Sequence, residues 1–505
     1  MVANMRSPNI VYILADDMGY GDLSCLNPAA GIHTNCLDQL AAEGMVFTDA
    51  HASSAVCTPS RYSILTGRYN WRSTLKEGVY WGYSRHLIES GRMTVASLLK
   101  SEGYTTACFG KWHLGMDFAT TDGEAAWGDE HGASNVDWDQ PIENGPTCFG
   151  FDRFHGIAAS LDMPPYIYIE DAGFVGRPTT VKAFLTPPRP GPAQADFDAV
   201  DVLPTITARA TSFIREMAEG ETPFFLYMPL NAPHTPLMPT AAFAGSSGLN
   251  AYTDFCLQVD DCVGQVVTAL EQSGLADNTL IMFTADNGCS PAADFPFLNE
   301  HGHYPSYHFR GHKADIYEGG HRIPLIARWP AVIGPGRQSD ETVCLADLFA
   351  TAAAIVGVEP PVDAAEDSVS NLPLLQGVNL HRPLREATVH HSIDGSFAIR
   401  QGRWKLEFCP GSGGWSDPKP GQEAADAPPI QLYDLHADIG ERHNVQHEYP
   451  QIADRLQELM TRYVRAGRST PGPAQPNTGP LHWPQLNWLA EADLQEDGWA
   501  NGDSR

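Results

Sequence analysis

Four short apolar runs each end on residues that can do chemistry, and that coincidence limits what this chain can fold into. Asn9–Ala15 (NIVYILA) leads into Asp16 and Asp17, and Thr105–Phe109 into Lys111 and His113. Pro223–Leu230 (PFFLYMPL) leads into Asn231 and His234, and Leu280–Ala285 (LIMFTA) into Asp286 and Asn287. Each run reads as a strand buried on both faces, the pattern of a mostly parallel sheet covered by helices. Ligands of open parallel sheets bind beyond the carboxyl ends of the strands, so four such endings predict one polar rim. A single Asp after a strand is ordinarily a turn former or a helix cap.

The stretches between the runs supply the helices of an α/β fold. Thr94–Lys100 is predicted helical, with Thr94 as cap and Gly103 as stop. Tyr252–Gln272 carries Val259, Val263, Val266, Val267 and Leu270 on one stripe and ends at Gly274. Asp117–Cys148, Thr186–Ala195 and Val358–Ser370 lack regular signals, and the last reads as a junction between a larger unit, residues 1–370, and a smaller one, residues 371–505. In the smaller unit Phe397–Phe408 and Gln431–Leu435 resemble antiparallel strands. Pro450–Ala466 reads as a helix with Ile452, Leu456, Leu459, Met460 and Tyr463 inward, and the tail from Ser469 as a surface wrap. No internal repeat is visible. The expected fold class is therefore α/β, a large mixed, mostly parallel sheet flanked by helices, with a smaller C-terminal α+β subdomain containing an antiparallel sheet.

Charge and cysteine usage narrow the function. With 32 basic and 61 acidic side chains in 505 residues the formal charge is −29, and no basic stripe is present to displace counterions from phosphates. Nucleic acid is excluded as a partner. No apolar run approaches the roughly 20 residues that span a bilayer, so no membrane partner is expected. The residues before the first strand, Met1–Pro8, contain no apolar core of a signal peptide. The expected compartment is the cytoplasm, or the periplasm or exterior if the sequence is a processed form. Ten scattered cysteines form no CxxC pair, which favours reduced thiols.

Asp16, Asp17, Asp286 and Asn287 offer hard oxygen ligands and no thiolate, a set suited to Ca²⁺ or Mg²⁺ rather than zinc. Adjacent carboxylates at a strand end repel unless a cation lies between them. The plain alternative is a pair of turn formers, Asp-Asp and Asp-Asn-Gly. In Ala52–Arg72, Pro59 suits the first turn of a helix and Gly67 its end. Cys57 then sits at the positive helix end, where free backbone N–H groups favour an anion, and Arg61 lies over the same face. A buried cysteine beside a structural arginine is the plain alternative here.

Cys57-Thr58-Pro59-Ser60-Arg61, with Leu65-Thr66-Gly67-Arg68, resembles the Cys-x-Pro-Ser-Arg signature of type I (formylglycine-dependent) sulfatases, arylsulfatase-like members of the alkaline phosphatase superfamily. The resemblance continues through Gly110-Lys111-Trp112-His113, Ala232-Pro233-His234, Asp286-Asn287-Gly288, Lys313 with Tyr317-Glu318-Gly319-Gly320, and Leu432-Tyr433-Asp434-Leu435. These motifs follow the family's order over nearly the whole chain.

The resemblance implies an alkaline phosphatase-like fold and hydrolysis of sulfate monoesters, aryl sulfates or small or chain-end carbohydrate sulfates. It implies oxidation of Cys57 to formylglycine by a maturation enzyme, and a Ca²⁺ ion (Mg²⁺ as the alternative) held by Asp16, Asp17, Cys57, Asp286 and Asn287. One hydroxyl of the hydrated aldehyde attacks sulfur; the second loses its proton and expels sulfate. Asp286 helps to deprotonate the first hydroxyl and His113 the second. Arg61 and Lys111 hold the oxyanion, while His234 and Lys313 grip the sulfate and protonate the leaving oxygen. A phosphonate monoester or phosphodiester hydrolase with the same nucleophile is one alternative. A calcium-dependent carbohydrate-binding protein with unconverted Cys57 is another. His301, His303 and His308 either line the leaving-group pocket or form a solvated loop, with Arg85 and His86 as similar candidates. Trp483 and Trp488 are expected to pack or to mediate contact in a homo-oligomer.

Overall fold

Asn9–Ala15 can be apolar throughout because it runs through the middle of a ten-stranded sheet. It pairs in parallel with Phe224–Pro229 on one side and Thr279–Ala285 on the other. Thr105–Lys111 and Arg153–Ile157 follow beyond Phe224–Pro229, so five central strands are parallel. Beyond Thr279–Ala285 lie Leu325–Arg328 and Met45–Phe47, each antiparallel to its inner neighbour, then Arg337–Ser339. Ile169–Glu170 and Gly173–Phe174 close the other edge. The computed structural model describes residues 7–480 and 482–489.

Two helix groups flank this sheet. Ala199–Met217 and Asn35–Glu43 pack on the predicted long helix, observed over Ala251–Gln272; Cys57–Thr66 and Val95–Ser101 pack on Leu348–Val356. Thr94 caps Val95–Ser101 as expected, its hydroxyl accepting from Ser97 N. Ala199–Met217 is absent from the helices anticipated above. Its stripe of Val202, Leu203, Ile206, Ala210, Phe213 and Ile214 is interrupted by Pro204, which removes a helix donor. Burial of the stripe outweighs that loss. Among the described residues no helix is long and apolar enough to cross a membrane. All ten cysteines are free thiols.

The expected antiparallel strands form a four-stranded sheet in the order Thr388–His391, Phe397–Gln401, Trp404–Glu407, Gln431–Asp434, with Thr388–His391 an addition to the sequence reading. Pro450–Ala466 packs on it through Leu456, Leu459, Met460 and Tyr463. Trp483 and Trp488 pack on Phe397, with ring centroids 6.2 and 5.6 Å away. The tail wraps back onto the larger unit, where Arg68 donates to Pro476 O and Thr478 N to Arg72 O. Residues 481 and 490–505 of the expected wrap lie outside the described residues.

A buried polar cluster joins the small sheet to the large one. Lys405 Nζ donates to Ile316 O at 2.9 Å and to Glu441 Oε1 at 2.6 Å, while Glu441 Oε2 accepts from Glu318 N at 2.7 Å. Lys405, Glu318 and Glu441 are fully buried. Their contribution is visible only when one partner is removed, because a buried charge without its partner retains its desolvation cost. Lys405→Met is expected to lower unfolding stability by about 3–5 kcal/mol, measured by chemical denaturation; a loss within about 0.5 kcal/mol, the range of an ordinary surface substitution, would contradict this account.

Candidate active site

Strand register brings the acidic pairs together. Ala15 lies beside Ala285 in the sheet, so Asp16-Asp17 and Asp286-Asn287 emerge side by side. Asp286 N donates to Ala15 O, Asp16 N to Ala232 O, and Asp17 N to Asp286 Oδ1 at 3.2 Å. Asp17 adopts φ 68° and His113 φ 57°, left-handed conformations that residues with a side chain take at a cost of about 1–3 kcal/mol and that cluster at functional sites. Lys111 is the last residue of the Thr105–Lys111 strand rather than lying beyond it, and its Nζ reaches Asp16 Oδ2 at 2.7 Å.

The helix Cys57–Thr66 is wholly buried and starts at Cys57; Gly67 closes it in the left-handed conformation, as the sequence predicts. Val56 at its cap offers no side-chain acceptor to the first N–H groups. Arg61, one turn on, donates through Nε and Nη2 to Asp286 Oδ2 at 3.1 and 2.8 Å, and through Nη1 to Lys111 O. Lys313 Nζ lies 2.7 Å from Asp17 Oδ2, and Asn287 Nδ2 2.7 Å from Asp17 Oδ1. His234 Nε2 lies 3.6 Å from Asp17 Oδ2. One ligand atom from each of Asp16, Asp17, Cys57 and His234 can be chosen so that all four lie within 4.8 Å of one another. All the residues expected to form the site thus converge on one buried location, and His234 joins the acidic pair more closely than the ligand reading anticipates.

Three carboxylates face three cations here, and burial sharpens every interaction. Although burial opposes its ionisation, Asp16 is held well below the usual carboxylate range by Lys111, then His234, Arg61 and Lys313. Burial and the neighbouring Asp16 raise Asp286, against the pull of Arg61. Burial, with Lys111 and Arg61, holds His113 neutral. Its Nε2 donates to Tyr80 O at 2.8 Å, so the unpartnered Nδ1 carries the lone pair. Burial pushes the Cys57 thiol up to about 12, with Lys111 and Lys313 opposing.

The donor set fits a hard cation. Asp16 Oδ1 and Asn287 Oδ1 are buried acceptors without a hydrogen bond, beside Asp17 and Asp286, and oxygen donors of this kind suit Ca²⁺ or Mg²⁺. A second group of candidate ligands, His51, His321 and His390, is already saturated. Its ring nitrogens bond to Asp49, to one another, to Ile316 O and Ala52 O, and to Thr388.

Of the three histidines after the fourth strand, His301 and His308 are exposed, as the solvated-loop alternative expects, and His303 departs from both alternatives. His303 neither lines a leaving-group pocket nor lies in solvent. It is fully buried, with Nε2 2.8 Å from Asp22 Oδ1, and Asp22 also accepts from the Tyr252 hydroxyl, whose oxygen lies 3.3 Å from Asp17 O. It braces the acidic turn from behind. The rings of His301 and His308 lie tilted against Phe297 and Tyr307, with centroids 4.2 and 3.9 Å apart. Arg85 and His86 pair with Asp117. The sequence reading missed Asp22, Tyr252 and Tyr80; Asp22, six residues after Asp16, carried the only local signal.

A match to the sulfatase family model spans residues 8–358, and so includes all the residues converging here. The chain belongs to the sulfatase family. It is 35% identical to an N-acetylgalactosamine-6-O-sulfatase of Bacteroides thetaiotaomicron over 90% of this chain and 93% of that one. It is 33% identical to human arylsulfatase A, over 91% and 88% respectively. A solved sulfatase structure from work on glycosaminoglycan metabolism by Bacteroides thetaiotaomicron superposes with TM-score 0.78 and 33% identity, covering 91% of this chain and 99% of that one. A phosphonate monoester hydrolase of Agrobacterium radiobacter shares the fold at TM-score 0.56 and 20% identity, covering 90% and 95%. The fold is alkaline phosphatase-like, and the protein is a sulfuric ester hydrolase.

In this sulfatase the glycines of the motifs let the site close. A Cβ on Gly288 would lie 1.8 Å from Gly319 O, so the Asp286-Asn287 turn touches the segment bearing Lys313 backbone to backbone. Gly288→Ala is expected to separate them and lower kcat/KM on a sulfate ester roughly 100-fold, the scale of an ångström-sized misplacement. Steady-state kinetics on a variant with unchanged circular dichroism would check this; full activity would refute the close-approach argument.

Proposed function

We propose that this sulfatase removes sulfate from a small or chain-end saccharide, an N-acetylhexosamine 6-sulfate foremost, using formylglycine at position 57 and a divalent cation, Ca²⁺ ahead of Mg²⁺. The convergence of Cys57 with Asp16, Asp17, His234 and three buried cations carries this reading. The Bacteroides thetaiotaomicron relative named N-acetylgalactosamine-6-O-sulfatase supports the saccharide.

Asp16, Asp17, Asp286, Asn287 and the oxidised residue 57 would hold the cation, which when bound draws negative charge from the sulfate oxygens. Formylglycine supplies, as its hydrate, paired hydroxyl groups that neither cysteine nor serine possesses. Arg61 and Lys111 hold negative charge at the residue 57 oxygen. Asp286 accepts the proton of the attacking hydroxyl, and His113 Nδ1 that of the second. His234 donates through Nδ1 to Thr235 O at 2.6 Å, which leaves Nε2 directed at the site. Nε2 of the neutral ring accepts there, while the Lys313 ammonium donates to the sulfate and gives the proton to the departing alcohol oxygen. Cys57 is only 2% exposed, so a maturation enzyme would have to reach it before the helix packs.

Peptide mass spectrometry across residue 57 and kinetics on N-acetylgalactosamine 6-sulfate, an aryl sulfate and an aryl phosphonate ester test this reading. Formylglycine with a sulfate preference is expected. An unmodified thiol in active material would defeat the nucleophile, and a large phosphonate preference would replace the reaction. Cys57→Ala is expected to reduce turnover to background while calorimetric Ca²⁺ binding persists. Chelation should abolish wild-type activity, and added Ca²⁺ should restore it.

A further inference from the structure

Two loops meet at His113, and neither is used by the chemistry above. Tyr80 O accepts from His113 Nε2, and Tyr80 N donates to Thr58 Oγ1, one residue from Cys57. The other loop begins where His113 N donates to Ala158 O at 2.9 Å. The loops touch backbone to backbone: a Cβ on Gly82 would lie 1.9 Å from Pro164 O.

On this frame stands Trp81, 53% exposed in a chain that buries Trp71 and Trp112 almost completely. A tight turn fixes its backbone, with Trp81 N donating to Ser84 Oγ at 2.8 Å and Ser84 N to Trp81 O at 3.0 Å. The Arg189 guanidinium lies 5.1 Å from the indole centroid and donates through Nη1 to Asp162 Oδ2 at 2.7 Å. Asp162 is 6% exposed and Ser160 3%, yet Asp162 Oδ1 and Ser160 Oγ have no hydrogen-bond partner. Buried polar atoms ordinarily find one. An exposed indole on a fixed turn and an arginine with N–H groups beyond its bond to Asp162, both tied to His113 through these loops, make a surface without an assigned occupant.

We propose that Trp81 and Arg189, the latter positioned by Asp162, form the subsite for the sugar that loses its sulfate. The pyranose stacks on the indole, and Arg189, positioned by its bond to Asp162, donates to an oxygen-bearing substituent such as an amide carbonyl or a neighbouring uronate. An indole suits a pyranose face because it offers a broad apolar surface at little cost in conformational entropy. Arg189 retains donors beyond the one Asp162 occupies. The inference rests on the saccharide reading above and adds the residues that select the ring.

The test is Trp81→Ala, with Trp81→Phe and Arg189→Gln, assayed on N-acetylgalactosamine 6-sulfate and for inhibition by inorganic sulfate, which needs only the buried core. Trp81→Ala is expected to raise KM about tenfold, a loss of one stacking contact, with kcat and the sulfate Ki unchanged. Trp81→Phe should recover most of the loss, and Arg189→Gln should raise KM. A KM within twofold of wild type for Trp81→Ala would overturn the subsite while leaving the saccharide reading intact. A sulfate Ki that worsens in step with KM would also overturn it, because Trp81 would then be supporting the core. Wild-type enzyme that cleaves aryl sulfate but no sugar sulfate would overturn the saccharide reading and the subsite with it.

Discussion

Three ion pairs at the end of one sheet set the terms for the rest of the molecule. Asp16 with Lys111, Asp286 with Arg61 and Asp17 with Lys313 are almost wholly removed from water. Taking such charges out of water costs several kcal/mol per ion unless geometry and hydrogen bonding are good. Good geometry requires stiff supports, and the supports are the parallel strands Asn9–Ala15, Thr279–Ala285 and Thr105–Lys111, together with the buried helix Cys57–Thr66. No flexible loop supplies the acids. They leave the strands directly, and backbone bonds to Ala15 O and Ala232 O fix where they leave.

Lys313 is the exception, carried on an irregular segment, and the small C-terminal sheet supplies the stiffness that a strand gives elsewhere. On one side Lys313 N donates to Cys289 O and Ala314 N to Ala55 O. On the other Ile316 N donates to Ser412 O, Asp315 accepts from Trp415 N and Ser416 N, and Lys405 binds Ile316 O. The segment is held between the two sheets. Glu318, within one of the family motifs, therefore serves as an anchor: it bonds to Arg322 and Glu441 and does not face the acidic pairs.

The legible parts of the sequence were those governed by local rules. Period, capping and strand-end chemistry located the central strands, the helix at Cys57 and the acidic pairs, because each depends on neighbours within a few residues. The helix at Ala199–Met217 was hidden by Pro204, whose lost hydrogen bond is a local penalty offset by distant burial. His303 looked like a rim residue from its distance to Asp286, but the chain turns back and delivers it to Asp22, 281 residues away. Tyr80 acts through a backbone carbonyl, which no side-chain identity encodes. Trp81 carried no periodic signal, since an exposed tryptophan on a turn obeys neither a helix nor a strand pattern.

The net charge bears on substrate choice through distance. At −29 the chain repels anions at long range, yet salt screens exposed charges beyond about 8–10 Å. Inside the site the cationic side chains Arg61, Lys111 and Lys313 are buried, lie in low dielectric and are screened far less. A long polysulfated chain laid along the surface meets the repulsion over its whole length, whereas a terminal sugar meets it only on entry and then gains the buried cations. Under the saccharide reading this difference favours short or chain-end substrates, and it explains why one anion can be drawn in by a protein whose surface repels most others.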